Sequence, residues 1–343
     1  MKILLVGSNR SMAIERHYVR HLTTLGAEVV HFAAPDIVYD FLSANIINKI
    51  LFKIGFKTKY PEVNKGLLEL ADKINPDVIW VFKGMEIYPQ TLKQLAKKFK
   101  LANYNPDHPF IISSLGSGNN NVTDSVGLYH LHFCYSTALQ KHIEELYALK
   151  TEFLPFGFEL TETEYEKALK EPELLSICFL GNPDGTRMEI VHSIAQLNLP
   201  IAVYGHGWRA AEFEKYPLVE VYDATYGEDF WIKLRQYRVQ LNIFRPHNIG
   251  SHNMRTFEVP AIGGIQLTPY SDEQASFFRS GKEIFFYRSQ EEMIAQLKKL
   301  LDMDTDKTEM IRENARQRSI TEDYSYFNRA RTVFETFKAM KTW

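Results

Sequence analysis

Residues 241–268 have the sequence LNIFRPHNIGSHNMRTFEVPAIGGIQLT, and the architecture expected for the whole chain follows from them. The pattern predicts a strand, a polar loop, a short helix, a Gly-Gly turn and a second strand. Ser251 or Asn253 would cap the helix, whose first-turn N–H groups and positive dipole end form an anion site. Gly263 and Gly264 would end the helix and allow a close approach of backbone. The segment is therefore expected to be one βαβ unit with an anion site at its loop.

Two charged residues of this segment, Arg255 and Glu258, lie one helical turn apart. In one interpretation Arg255 and the helix end hold a diphosphate, and the Glu258 carboxylate accepts hydrogen bonds from ribose hydroxyls. In the other, the two residues form an exposed i,i+3 ion pair. His247 and His252 precede the helix, and each would either contact a phosphate or sugar hydroxyl or be solvated. The residues alone leave both interpretations open.

Short apolar runs alternate with amphipathic stretches along the rest of the chain. The predicted strands are residues 2–6, 28–32, 78–82, 101–104, 132–135, 175–180, 201–204, 219–222, 239–243, 265–267 and 284–287. Apolar strands interleaved with helices indicate parallel sheets that are covered on both faces. The sequence therefore predicts an α/β protein with doubly wound domains.

The alternation pauses after residues 154–157, L-P-F-G, where a charged segment predicts a linker and a surface helix. We expect one domain over 1–158 and a second over 159–322. The final helical stretch, 323–343, precedes no strand and must pack on a domain already built. A length of 343 residues also predicts about two domains.

Composition excludes several classes of function. Forty Lys+Arg face 42 Asp+Glu, a net charge of −2, so dedicated nucleic-acid binding is disfavoured because it needs a basic excess. A hydrophobic content of 45 % with 24 % charged residues is typical of a globular chain and not of a disordered one. Cys134 and Cys178 lie in apolar runs and are too few for a disulfide framework. No cluster has the spacing of a structural zinc site.

The sequence predicts a cytoplasmic location. The N-terminal MKILLVGSNR has an apolar run too short for a signal peptide, and no run approaches the length of a membrane span. In residues 41–59, lysines recur every four residues opposite apolar side chains. The lysines are Lys49, Lys53 and Lys57, and the apolar residues are Ile46, Ile47, Ile50, Leu51 and Ile54. We expect an ordinary domain helix there, with peripheral contact to the inner membrane face as the alternative.

Several motifs, in matching order, resemble those of the spore-maturation (CgeB-like) glycosyltransferases of the GT-B superfamily. N-M-R-T-F-E-V-P-A-I-G-G at 253–264 resembles the family's R-x-F-E-x-x-A-x-G segment, and F-L-G-N at 179–182 with Arg187 resembles its Gly-Asn loop and arginine. The other similar motifs are L-P-F-G at 154–157, Y-G-x-x-W at 204–208, G-x-E-x-x-x-Y at 281–287 and, for a D-D-P loop, N-P-D-H-P at 105–109.

The resemblance implies a GT-B fold with two Rossmann-like domains facing across a cleft and a C-terminal helix that returns to the first domain. The second domain would bind a UDP-, GDP- or TDP-sugar. Its Glu258 would hold the ribose, and its arginines and Gly-Asn loop the diphosphate. The expected donor-side residues are Gly181, Asn182, Arg187, Tyr204, Gly205, His252, Asn253, Arg255 and Glu258.

The resemblance also implies that the first domain binds the acceptor, a glycan, lipid or protein. Gly7 and Ser8 follow the first strand without the dinucleotide-binding fingerprint, and Lys83 follows the third. Asp107 and His108 are the candidates for acid or base catalysis, although Asp107 would equally suit a turn between two prolines. No cofactor or metal is required, because arginines and a helix end can stabilise a leaving diphosphate.

Two family features are absent. Gly250 occupies the first position of the Glu-x7-Glu pair of many retaining GT-B enzymes, and the C-terminal His-Thr-Tyr-x-x-Arg appears as Y-S-Y-F-N-R at 324–329. A glycosyltransferase remains the leading hypothesis. The alternatives are a catalytically silent binding or assembly protein and a nucleotide-sugar epimerase of the same architecture. In the Y-G-x-x-W motif, His206 would contact the donor or belong to a turn beside a buried Trp208.

Overall fold

The computed structural model describes residues 1–53, 59–112, 116–245, 248 and 250–340. These residues form two compact units, the first comprising Met1–Pro155 together with the C-terminal residues from Tyr326, and the second comprising Phe156–Ser325. The divisions lie close to the boundaries expected after residues 158 and 322.

The first unit is built on a six-stranded parallel sheet of order β2-β1-β3-β4-β5-β6. Its strands are β1 (Lys2–Val6), β2 (Glu28–Phe32), β3 (Val78–Phe82), β4 (Lys100–Tyr104), β5 (Leu131–Cys134) and β6 (Lys150–Phe153). Its helices are α1 (Ile14–Thr24), α2 (Ala34–Ala44), α3 (Ile46–Lys53), α4 (Tyr60–Ile74), α5 (Pro89–Leu95), α6 (Asn120–Ser125), α7 (Thr137–Tyr147) and α15 (Tyr326–Met340). The central strand β3 is buried along its whole length, as its apolar sequence VIWVF requires.

The C-terminal helix α15 completes the core of this first unit. Tyr326 lies 5.7 Å from Tyr18 between ring centroids, and Phe337 lies 5.5 Å from Trp80, both edge-to-face. His17 of α1 stacks on Tyr326 at 4.9 Å. The predicted return of the last helix to the first domain is therefore confirmed.

The second unit has a six-stranded parallel sheet of order β12-β11-β10-β7-β8-β9. Its strands are β7 (Leu174–Leu180), β8 (Ile201–Tyr204), β9 (Val219–Tyr222), β10 (Tyr237–Leu241), β11 (Gln266–Pro269) and β12 (Phe285–Tyr287). Its helices are α8 (Glu162–Lys170), α9 (Gly185–Gln196), α10 (Gly227–Gln236), α11 (Arg255–Ala261), α12 (Asp272–Phe277), α13 (Gln290–Leu301) and α14 (Thr305–Thr321).

The strand order of each sheet reverses once. In the first unit the reversal lies between β1 and β3, and in the second between β7 and β10. Loops leave such a pair of strands in opposite directions, and the space beyond their carboxyl ends is where doubly wound sheets bind ligands. We call these two places the first-unit edge and the second-unit edge. Among the described residues, no helix is both long and apolar enough to cross a membrane.

Candidate functional site

At the second-unit edge, the loop after β7 is held by the loop after β8. A Cβ on Gly205 would lie 2.4 Å from the Gly181 carbonyl oxygen, so glycine is required there. The Trp208 indole donates to that same carbonyl at 2.8 Å, and the His206 N–H donates to Asn182 Oδ1 at 2.9 Å. Trp208 is itself buried, so the Y-G-x-x-W motif fixes the Gly-Asn loop.

Arg187, in the first turn of α9, bridges the two strands that flank the reversal. Its Nη1 donates to the Asn182 carbonyl after β7 at 2.9 Å, and its Nη2 donates to the Ile243 carbonyl after β10 at 3.0 Å. The side chain is 8 % exposed. Asp184 caps α9 by accepting from the Arg187 N–H at 3.0 Å. The predicted residues Gly181, Asn182 and Arg187 are thus brought together.

Positive charge accumulates around Arg187. Burial lowers its pKa to about 10; Asp184 opposes this shift, and the guanidinium groups of Arg245 and Arg255 add to it. An anionic group among these guanidiniums would favour the charged form of Arg187. The electrostatics of this edge therefore suit an anion.

Arg255 and Glu258 form an ion pair across the first turn of α11. The Glu258 side chain is 9 % exposed and that of Arg255 28 %. The Arg255 guanidinium lies 4.5 Å from the Phe230 ring centroid, and its buried Nε has no hydrogen-bond partner among the described residues. The i,i+3 pair that sequence left open is therefore present but largely buried, and the donor contacts of these two residues stay a prediction.

Asn253 fixes the entry into α11. Its Oδ1 accepts from the Thr256 N–H and the Thr256 Oγ1 accepts from the Asn253 N–H, each at 3.3 Å. Its amide also pairs reciprocally with the amide of Asn242, just after β10, at 2.9 and 3.0 Å. The first residue beyond β10 thereby positions the start of the helix.

His252 lies inside the second unit and is fully buried. Its Nε2 accepts from the Phe156 N–H at 3.2 Å, and Nδ1 donates to the Glu273 carboxylate. The rings of Phe257 and Phe277 pack against the imidazole edge-to-face. The predicted contact of His252 with a phosphate or sugar needs correction, because burial and these bonds make it a positioning residue. His247 lies outside the described residues.

The Tyr204 side chain is held by two other tyrosines, and its predicted donor contact stays a prediction. Its hydroxyl hydrogen-bonds the Tyr237 hydroxyl at 2.8 Å, and its ring stacks on Tyr222 at 4.8 Å. Burial raises the pKa of Tyr204 to about 12. Its carbonyl accepts from the Gly181 N–H at 2.8 Å, so Tyr204 supports the Gly-Asn loop through backbone.

One contact at this edge escaped the sequence reasoning. Tyr287 donates from its hydroxyl to the Asn242 carbonyl at 3.2 Å, which ties β12 to the loop after β10. The available signal was the tyrosine that ends G-x-E-x-x-x-Y. The close backbone approach expected at Gly263 and Gly264 is present, since a Cβ on Gly264 would lie 2.5 Å from the Leu234 carbonyl oxygen.

At the first-unit edge, Gly7 and Ser8 follow β1 and meet carboxylates. The Ser8 hydroxyl donates to Asp36 Oδ1 at 2.7 Å, and its N–H donates to Glu15 Oε1 at 3.0 Å. A Cβ on Gly7 would lie 2.8 Å from Glu15 Cγ, so the carboxylate reaches the strand end only because residue 7 is glycine. Burial raises the pKa of Glu15.

Lys83, directly after β3, contacts Asp107, another predicted residue, at the same edge. Its Nζ lies 2.6 Å from Asp107 Oδ2 and donates to the Gly116 carbonyl at 2.9 Å. Lys83 adopts a left-handed φ of 58°, a conformation uncommon for a lysine. The turn predicted at Asp107 is made by Asn105, whose side chain accepts from the Asp107 N–H at 3.0 Å. His108 Nδ1 accepts from the Phe110 N–H at 3.2 Å.

Glu86 is a functional candidate that sequence reasoning missed. It lies in the loop after β3, and burial, reinforced by the charges of Asp36 and Glu15 and opposed by Lys83, raises its pKa to about 7. A carboxyl group that titrates near neutrality is suited to general base catalysis. Its position four residues beyond a predicted strand was the only available signal. The described residues contain no group of three or more His, Cys, Asp or Glu able to hold a metal ion.

Comparison with known proteins finds one family model that matches part of the chain and solved structures that share its fold. Residues 187–335 match a family model described as glycosyl transferase-like. No curated protein sequence matched the chain. The segment includes Arg187, Arg255 and Glu258, whereas the resemblance to the spore-maturation family stays a prediction.

Solved structures match over nearly the whole chain at low identity. Sucrose-phosphate synthase from Thermosynechococcus elongatus has a TM-score of 0.69 at 12 % identity, with 99 % of each chain covered. HepE from Anabaena in complex with UDP-glucose has a TM-score of 0.66 at 13 %, covering 99 % of this chain and 100 % of that one. A putative UDP-N-acetylglucosamine 2-epimerase from Listeria monocytogenes has a TM-score of 0.60 at 12 %, covering 99 % and 96 %. This chain has the GT-B glycosyltransferase fold, with a glycosyl transferase-like segment over residues 187–335.

Proposed function

We propose that this protein is a glycosyltransferase that moves a sugar from a nucleotide-diphosphate donor to an acceptor. The observation that carries the proposal is the group of guanidiniums, Arg187, Arg245 and Arg255, beyond the carboxyl ends of β7 and β10. Arginine forks match the oxygen geometry of a diphosphate and stay charged when partly buried.

The donor would bind at the second-unit edge. Arg187 and Arg255 would contact the diphosphate, and the Glu258 carboxylate would accept from a ribose hydroxyl beside its existing bond to Arg255. HepE was solved with UDP-glucose and also with UDP, which supports a uridine nucleotide as the first donor to test. The sugar and the acceptor are left open by this assignment.

Transfer breaks the bond between the sugar anomeric carbon and the diphosphate oxygen and forms a bond from that carbon to an acceptor oxygen. The negative charge that develops on the leaving diphosphate would be stabilised by the guanidinium groups, of which that of Arg187 is already oriented by two backbone carbonyls. The acceptor hydroxyl must lose its proton. We assign that proton to Glu86 rather than to Asp107, because Asp107 is held by Lys83.

Calorimetric titration with UDP, GDP and TDP tests the donor assignment. We expect one preferred nucleotide and a loss of about a hundredfold in affinity for Arg255→Ala, since a bidentate charged contact to phosphate is removed. Lys298→Ala is the matched control, because it removes an exposed positive charge from the last turn of α13. Failure of all three nucleotides to bind would reject the proposal, as would equal losses in both variants.

Specific observations support two alternative functions. The Listeria epimerase shares the fold, so epimerisation is tested by analysing the sugar recovered from a donor incubated without acceptor. A silent binding protein is suggested by Gly250, which replaces a carboxylate and has a φ of 82°. Nucleotide binding without transfer or donor hydrolysis would favour this second rival.

A further inference from the structure

The helix α3 exposes apolar side chains that a domain helix normally buries. Ile46, Ile47 and Ile50 are 67 %, 62 % and 53 % exposed. The expectation of an ordinary domain helix, with these isoleucines in the core, is therefore wrong for the described part of residues 41–59. An exposed cluster of large apolar side chains usually marks an interaction surface.

The attachment of α3 explains the outward direction of the isoleucines. The Asn48 side chain donates to the Phe41 carbonyl at 2.7 Å, and Phe52 packs on the first-unit core beside Tyr60. At about 100° per residue, Asn48 and Phe52 lie on the side of the helix opposite Ile46 and Ile50. The polar and aromatic face is anchored, so the isoleucine face has to point outward.

The positive charge of residues 41–59 indicates which kind of partner fits α3. Residues 41–59 contain four lysines and no Asp or Glu, in a chain whose net charge is −2. Lys49 is exposed and flanks the isoleucines along the helix. A second copy of the chain seated on the same face would bring like charges together, whereas an anionic bilayer neutralises them.

We infer that α3 is a docking surface for an anionic lipid bilayer. Ile46, Ile47 and Ile50 would enter the boundary between headgroups and acyl chains, and Lys49 would reach the lipid phosphates. The helix would lie in the plane of the interface. Docking of this kind would bring the first-unit edge to a membrane-bound acceptor, but the inference itself does not depend on the proposed transfer activity.

Sedimentation of the whole protein with vesicles tests the inference. We expect binding to equal mixtures of phosphatidylglycerol and phosphatidylcholine, much weaker binding to phosphatidylcholine alone, and a decrease with added salt. Ile46→Glu with Ile50→Glu should weaken binding at least about tenfold, since it replaces buried apolar area with charge. Lys49→Gln should weaken it by a few-fold.

Leu146→Glu is the matched control, because Leu146 is a single apolar side chain, 57 % exposed on α7 of the same unit. It should leave vesicle binding unchanged. Thermal unfolding of the isoleucine variant reports on its fold and should match that of the unaltered protein. Three results would each overturn the inference: no sedimentation with anionic vesicles at low salt, equal loss in the Leu146 control, or a dimer that the isoleucine variant abolishes while vesicle binding persists.

Discussion

Beyond the carboxyl ends of β7 and β10, the second unit gathers arginines, whereas beyond β1 and β3 the first unit gathers carboxylates. Arg187 stands among the guanidiniums of Arg245 and Arg255. Glu86 stands among the carboxylates of Glu15 and Asp36, with Lys83 as the nearby cation. The strand reversal supplies the same position in both sheets. The opposite side-chain charges underlie the two roles we propose, which are anion binding at the second-unit edge and proton transfer at the first-unit edge.

The largest expected effect comes from a substitution at the first-unit edge. Glu86→Gln should lower the rate of transfer, or of donor hydrolysis, at least about a hundredfold, because general base catalysis contributes two or more powers of ten. Since the carboxylate form is the base and its pKa is about 7, the rate should rise with pH through neutrality in the unaltered protein. That rise should vanish in the variant.

Nucleotide affinity serves as the experimental control for this prediction. It should be the same in Glu86→Gln and in the unaltered protein, since the proposed donor site lies at the second-unit edge. Asp107→Asn is the competing variant, as its carboxylate is paired with Lys83. If Asp107→Asn removes the pH-dependent rise and Glu86→Gln keeps it, the base is Asp107.

A second prediction concerns acid stability of the first unit. Burial lowers the pKa of His132, whose Nε2 bonds the Val126 carbonyl, to about 4. The unfolded chain binds this proton near pH 6.5, so the stability is present above that pH and is lost as pH falls towards 4. The loss is about 3 kcal/mol at most. His132→Gln should flatten the free energy of unfolding over that window in pH-dependent melts.

The stability of the second unit should fall only at a lower pH. Burial opposes the shift, but the hydrogen bonds from Arg238 and Arg312 hold the pKa of Glu173 below its usual value. Stability from this group is present above about pH 4.5 and is lost below it. Hydrogen exchange measured segment by segment should therefore show a smaller effect of pH 5 on the second unit. The reverse order would contradict the two assignments.

A third prediction concerns the Arg187 guanidinium group, which bonds two backbone carbonyls. Arg187→Lys keeps the charge but loses one of the bonds to the Asn182 and Ile243 carbonyls, so nucleotide affinity should fall about tenfold. Arg238→Lys is the matched control, because Arg238 is equally buried and is forked onto Glu173. Both variants should melt lower, but only Arg187→Lys should bind nucleotide less tightly when folded.

The smallest effect concerns Gly250, where many retaining GT-B enzymes have a carboxylate. With a φ of 82° and open space around its Cα, Gly250→Ala should cost about 1 kcal/mol of unfolding free energy through backbone strain alone. Gly185→Ala, in equally open space without a left-handed φ, should be neutral. An equal cost in both would show that strain at residue 250 is not the cause.

Apart from β6, the strands were predictable because each contains a run rich in apolar residues between turn residues, whereas β6, with the sequence KTEF and half of its positions exposed, was missed. β1, β2, β3, β8 and β9 match the predicted bounds. The helix α14 was not predicted. Its sequence TDKTEMIRENARQRSIT is mostly polar, and its buried positions include Arg312, which donates to the Gly263 carbonyl at 3.0 Å. An apolar periodicity cannot reveal a helix that is docked by hydrogen bonds.

At the candidate site, the sequence identified which residues contribute but not the directions in which their side chains point. Glycines and arginines after strands were predictable, because a loop beyond a parallel strand is exposed at a known edge. The inward orientation of His252 depends on Glu273 and Phe156, which are distant in sequence. The titration of Glu86 near neutrality depends on burial that no local pattern encodes.

The helix α15 has a consequence for the order in which the chain is completed during synthesis. Residues 156–325, the whole second unit, leave the ribosome before Tyr326 and Phe337 do. Until then Tyr18, Trp80 and Phe133 lack the rings that pack against them in the finished core. The nascent chain therefore exposes most of the second unit while the first still lacks its last helix. A ribosome stalled near residue 325 would carry a protein whose earliest strands are the last to be closed.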